Sequence, residues 1–220
     1  MHVTSKPAIL YFGTPVVVVS TINEDGSANL APMSSVFWLG WRCVLGLDAS
    51  SKTTQNLLRT GECVLNLPSE ENVAAVDRLA MTTGSNPVPQ LKAARGYRFE
   101  PGKFGLSGFS AAPSETVAPP RVLECPVQLE ATLAATHGLA EDHGVLRGLV
   151  KIFEVRIQRV HVDEALLVPG QPNRIDPGRW RPLIMSFQKF YGLKAEELHG
   201  SRLSSVPEEA YRSPESIGAK

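Results

Sequence analysis

Two short stretches carry the side chains best suited to chemistry. Ser50-Ser51-Lys52-Thr53-Thr54-Gln55-Asn56 places several hydroxyls and one ammonium at the expected start of a helix. Unpaired N–H groups and the helix dipole favour an anion there. Lys52 adds a point charge and Ser51 or Thr53 adds hydrogen bonds, a set suited to a phosphate. Ala31-Pro32-Met33-Ser34-Ser35 closes a strand with small residues whose amides and hydroxyls suit the same kind of ligand. Spacing alone leaves a second reading open, in which Ser51 only caps the helix and Lys52 points into solvent.

Other familiar chemistries are not supported. Gly105-Leu106-Ser107-Gly108 begins like a nucleophile elbow, but the closing glycine of GxSxG is replaced by Phe109. Gly102-Lys103 lacks the flanking residues of a phosphate-binding P-loop, and no GxGxxG opens a helix after a strand. The five histidines never fall at i, i+4, so no HExxH-type metal helix exists. Cys43, Cys63 and Cys125 are far apart and form no CxxC, which predicts three buried thiols in a reducing cytoplasm.

The elements that must position the two polar stretches are mostly strands. Thr14 to Ile22 holds four consecutive valines, and β-branched residues favour a strand. Asp25-Gly26 then signals a hairpin, with a returning strand over 29–32 and another over 42–47. Lys52 to Arg59 is predicted helical with Gly61 as its C-terminal glycine, and 62–67 reads as a strand. Ser69 starts a second helix reaching about Leu79. Residues 81–115 are irregular, and so long an excursion from a compact domain is usually functional or mobile. The 122–133 segment alternates, with Glu124, Gln128, Glu130 and Thr132 on the polar side of a half-buried strand. Along 149–163 the phase slips at Gln158-Arg159, which predicts a bulge of the kind barrels use at corners. From Ala195 the pattern fades into an arm or disordered tail. The fold class is therefore mainly β, a closed barrel with a few short helices, over about residues 8–193, with 194–220 as the tail.

Composition bounds the partners. The chain of 220 residues has 22 basic and 22 acidic side chains, with no excess base for nucleic acid or an anionic membrane. At 43% hydrophobic it can fill a core. No stretch approaches the ~18 apolar residues of a spanning helix, and the run from Ile9 to Val19 has neither the basic flank nor the cleavage site of a signal peptide.

Four blocks together resemble the flavin reductase-like family, whose fold is an FMN-binding split β-barrel of Greek-key type. They are Asn29-Leu30-Ala31-Pro32-Met33-Ser34-Ser35-Val36-Phe37, and Lys52-Thr53-Thr54-Gln55-Asn56-Leu57 with its following strand. The others are Gly105-Leu106-Ser107 leading into Pro119-Pro120-Arg121-Val122-Leu123-Glu124-Cys125-Pro126, and Val160-His161-Val162-Asp163-Glu164 with Arg181-Pro182-Leu183. The resemblance implies a homodimer with an FMN near each subunit interface, and hydride transfer to that FMN from NADH or NADPH. It places FMN against Asn29, Ala31, Pro32, Met33, Ser34, Ser35, Ser50, Ser51, Lys52, Thr53, Thr54 and Ser107. It also implies an acceptor for reduced flavin, such as a monooxygenase component. Flavin binding or electron transfer without nicotinamide turnover is the alternative function.

Asp142-His143 with Gly148 and Val150 is similar to a family segment whose histidine lies beside the nicotinamide, although Glu141 replaces its first glycine. If Phe153-Glu154-Val155 takes the G-x-V place instead, His143 falls in a hairpin loop. His161 is expected to hold Asp163 or solvent at a strand end, and Arg121 to be structural or a cofactor ligand. Two of Phe37, Trp38 and Trp41 are expected in the core.

Overall fold

The computed structural model describes residues 1–217. The valine run forms β1 (Val17–Ile22), and its residues are buried on both sides. Val17 and Val19 enter the inner core, whereas Val16 and Val18 enter a second core under the helices. A strand covered on both faces has no polar side, so the valines run without interruption. Asp25-Gly26 turns the chain, with Gly26 at φ 83° and the Asp25 carboxylate accepting from the Ser27 N–H at 2.9 Å. The chain returns as β2 (Ala28–Met33). After Ser34-Ser35 come β3 (Val36–Leu39) and β4 (Arg42–Asp48).

Helix α1 (Lys52–Thr60) follows and ends at Gly61, whose φ of 69° lets its N–H reach the Leu57 carbonyl at 2.9 Å. Then come β5 (Glu62–Leu67) and α2 (Val73–Leu79), the latter entered through a 3₁₀ turn over Glu70–Asn72 that Ser69 caps. The excursion predicted to be irregular carries α3 (Gln90–Ala93) and α4 (Lys103–Ser107). Two long strands close the barrel, β6 (Val127–Gly138) and β7 (Val150–Val162).

The seven strands form one sheet in the order β2-β1-β5-β6-β7-β4-β3. Its two edge strands are consecutive in the chain, so the sheet curls until its edges face each other across Ser34-Ser35. The result is a barrel split along one seam. The curl needs a corner, and the predicted slip supplies it. Glu130 pairs with Arg159 and Ala131 with Ile157, which leaves Gln158 as the extra residue.

Two expectations change. The strand predicted over 122–133 breaks at Pro126: Arg121–Val122 pairs separately with Ala111–Ala112, and β6 begins at Val127. The first part of β6 is buried on both faces, because the 113–118 loop covers Glu130 and the 121–125 segment covers Gln128. Of the two readings of the tail, its described part has the form of an arm. It carries short 3₁₀ turns and returns to the barrel, where Glu215 pairs with Arg42 at 2.5 Å. All three cysteines are free and buried, as expected, and burial raises the Cys63 thiol to about 12. Among the described residues no helix is long and apolar enough to cross a membrane, and no cluster of side chains could hold a metal ion.

Candidate functional site at the barrel seam

A cleft of about 450 Å³ opens at the seam, a size within the ~300–1,000 Å³ of small-molecule sites. One wall is the free edge of β2, whose only strand partner in the sheet is β1. Pro32 lies there opposite Val18, and proline is tolerated because an edge residue needs no N–H for a ladder. Ala31, Pro32 and Met33 therefore present an unpaired backbone edge to the cleft.

Ser34 and Ser35 form the floor where the chain crosses the seam. The Ser35 carbonyl accepts from the Gly46 N–H at 2.9 Å, and a Cβ on Gly46 would stand only 3.3 Å from Ser35 Cβ. Glycine at 46 allows this close crossing. The phenol of Tyr11, from the N-terminal segment, lies 3.4 Å from Ser35 Oγ.

The N-terminus of α1 forms the next wall through Ser51 and Thr53. Ser51 Oγ accepts from the Thr54 N–H at 3.1 Å, so it is a cap and also lines the cleft. The first helical N–H groups, those of Lys52 and Thr53, have no partner within the helix. Asp48 organises the approach by accepting from the Ser50 N–H at 2.7 Å and its hydroxyl at 2.6 Å.

The remaining walls come from distant parts of the chain. The excursion brings Lys92, Arg95 and Tyr97 to the cleft, α2 brings Val76 and Leu79, and the C-terminal region brings Met185 and Phe190. Partial burial lowers the Lys92 pKa, which Asp48 opposes. The cleft thus has apolar walls and a cationic pole beside a helix start. Such a site can seat a flat apolar ring system that carries a phosphate.

Of the residues expected to bind the cofactor, Ala31, Pro32, Met33, Ser34, Ser35, Ser51 and Thr53 line this cleft. The other five are directed elsewhere. Asn29 is buried behind Thr53, donating to its hydroxyl at 3.2 Å. Thr54 turns back to the Asp48 carbonyl at 2.8 Å, and the Ser50 hydroxyl stays on Asp48. Lys52 reaches the β1–β2 turn and pairs with Glu24 at 3.3 Å. Ser107 is buried in α4, where its hydroxyl donates to the Lys103 carbonyl at 2.8 Å.

His143 sits in the exposed loop between β6 and β7, its Nδ1 accepting from the Leu146 N–H at 3.4 Å. His161 bonds not Asp163 but the buried carboxylate of Glu130, at 2.7 Å. Arg121 is structural, donating to the Pro113 carbonyl and to Gln128. Trp38 and Trp41 pack against the core, while Phe37 is exposed. Lys92, Arg95 and Tyr97 escaped the motif reading, and the unusual length of their excursion was the only signal.

A family model for the flavin reductase like domain matches residues 9–194. The uncharacterized protein YdfE of Bacillus subtilis is 35% identical over 191 residues, covering 87% of this chain and 89% of that protein. Flavoredoxin of Desulfovibrio vulgaris (Miyazaki F) superposes with a TM-score of 0.73 at 21% identity, over 93% of this chain and 99% of that one. Nitrilotriacetate monooxygenase component B from Bacillus cereus gives 0.68 at 20% identity, over 86% and 88%. With its split barrel and a family match over most of its length, the chain belongs to the flavin reductase like domain family.

Proposed function

We propose that this flavin reductase-like protein binds FMN in the seam cleft and carries out hydride transfer to it from NADH or NADPH. The observation that supports this most directly is the meeting of an unpaired strand edge, a capped helix start and two cations in one cleft with apolar walls. Bound flavin would supply the redox chemistry, accepting a hydride and passing electrons on. The chain's own residues bind and orient. Lys92, Arg95 and the start of α1 fit the phosphate. The β2 edge and Ser34-Ser35 offer hydrogen bonds, and Tyr11, Met185 and Phe190 shield the ring from water.

No protein nucleophile is required, because orientation and exclusion of water suffice for transfer between two cofactors. We place the protein in the cytoplasm as a homodimer, with the second copy covering the open side of the cleft. Reduced flavin would then pass to a separate acceptor. The structural likeness to a monooxygenase component B favours a monooxygenase in that role.

Absorbance between about 300 and 550 nm, before and after adding FMN, tests the binding claim. Flavin bands that survive desalting and bleach anaerobically with NADH or NADPH are the expected result. A protein that leaves the FMN spectrum unchanged would remove the cofactor assignment. Bands that no nicotinamide bleaches would favour electron transfer or flavin storage instead.

A further inference from the structure

Lys103 is the most deeply buried cation among the described residues, 3% exposed at the first turn of α4. Its ammonium donates to the Leu30 carbonyl of β2 at 2.7 Å. Leu30 immediately precedes Ala31, where the cleft wall begins. The bond ties α4 to the edge strand that faces the ligand.

We propose that Lys103 is a positioning residue of the cleft that couples ligand binding to proton uptake, because a phosphate dianion beside Lys92 and Arg95 favours the charged form of an ammonium buried behind the same edge strand. This rests on the flavin reading above.

The charged neighbours come from every element around it. α3 contributes Lys92, and Glu100 stands just before α4 with its carboxylate accepting the Gly102 N–H at 2.8 Å. Arg78 of α2 is turned onto the Ser107 carbonyl at the far end of α4, and Asp77 beside it is exposed. β2 carries no charged residue. Burial lowers the Lys103 pKa to about 8, with Lys92 adding to the shift and Glu100 opposing it. Near that pH a fraction of the molecules carry Lys103 as a neutral amine, which donates only a weaker bond to the Leu30 carbonyl. A bound dianion restores the charge, and a proton is taken from solvent. The phosphate cannot be the source of this effect. Its second pKa is about 6, so it is already a dianion, and cations around it favour proton release.

Calorimetry of FMN binding at about pH 8.5, in two buffers of different ionisation enthalpy, counts the protons taken up. The native chain is expected to take up a measurable fraction of a proton with FMN and less with riboflavin, which lacks the phosphate. Lys92 also faces the phosphate and has a lowered pKa, so Lys103→Met and Lys103→Arg isolate the share of Lys103. Both variants should lose that share. Lys103→Arg, permanently charged, should keep FMN affinity at alkaline pH, whereas native affinity falls several-fold between about pH 7.5 and 9.5. FMN binding with no uptake, or with uptake unchanged in both variants, overturns the role of Lys103 and leaves the cofactor assignment standing. If neither flavin binds, the cofactor assignment fails and this inference fails with it.

Discussion

Two polar clusters meet the barrel, and they differ in what remains unused. At the seam, backbone groups on the β2 edge, the first N–H groups of α1 and two cations face a cleft. At the base of β6, Glu130 is fully buried and saturated. It accepts from the Glu115 and Thr116 N–H groups at 2.9 and 2.6 Å, from the Thr116 hydroxyl at 2.5 Å and from His161 at 2.7 Å. Burial alone would raise its pKa, but these donors hold it below the usual carboxylate range. A saturated cluster fastens the 113–118 loop to the sheet, whereas an unsaturated one has capacity for a ligand. The contrast separates structural from functional polarity better than residue type does, since both clusters hold hydroxyls, carboxylates and basic groups.

Glu130→Ala gives the sharpest test of the saturated side. Removing the carboxylate strands buried donors, and breaking such a set costs about 3–5 kcal/mol. The midpoint of urea unfolding should drop accordingly, while the folded fraction keeps its flavin affinity. A small loss of stability would show that the loop does not depend on this anchor. The native protein carries a matching pH signature. A carboxylate with a lowered folded pKa contributes its stabilisation above the unfolded value of 4.5, and loses it as pH falls through the folded value. Acid should therefore destabilise the native chain more steeply than the variant.

Lys92→Ala with Arg95→Ala tests the unsaturated side. Charge-assisted bonds to a phosphate contribute about 1.5–3 kcal/mol, so FMN affinity should fall about 10- to 100-fold while riboflavin affinity changes little. Equal losses for the two flavins in a fluorescence titration would move the phosphate away from these cations. Stability should be nearly unchanged, because both side chains reach solvent.

The same contrast explains how much could be read from the chain. Local signals were legible: Asp25-Gly26 turns, Gly61 ends α1, and the phase slip at Gln158 is a bulge. Ser51, Ser34 and Ser35 also stood out, because caps and strand ends have short-range signatures. Glu130 was read as facing solvent because alternation reports only one sheet. The loop covering its second face arrives from 113–118 and leaves no mark on the strand's period. Lys52 was the obvious cation by spacing, yet the β1–β2 turn supplies Glu24 and draws it aside. Lys92 and Arg95 reach the cleft through tertiary packing alone.

A smaller effect is expected at the crossing of the seam. Gly46→Ala places a methyl 3.3 Å from Ser35 Cβ and 3.7 Å from Ile152 Cδ1. Relieving that contact costs about 1 kcal/mol and shifts the Ser34-Ser35 link. FMN affinity should weaken a few-fold, with riboflavin weakened equally because the disturbance lies at the cleft floor. An effect confined to FMN would instead place the phosphate over these serines.

The smallest effect is expected at the residue that spacing marked as the phosphate cation. Lys52 is paired with an exposed Glu24, and such surface pairs contribute about 0–1 kcal/mol. Lys52→Ala should therefore change unfolding midpoints by very little. Its ammonium leaves the α1 start on the side of the β1–β2 turn, where a ligand at Ser51 and Thr53 would not meet it. FMN affinity should change less than two-fold, since the ammonium is held by Glu24 on the turn. A loss comparable with that of the Lys92 and Arg95 variant would mean that Lys52 exchanges Glu24 for the ligand on binding. The site would then be completed by a rotating side chain, and Glu24→Gln should strengthen FMN binding by freeing it.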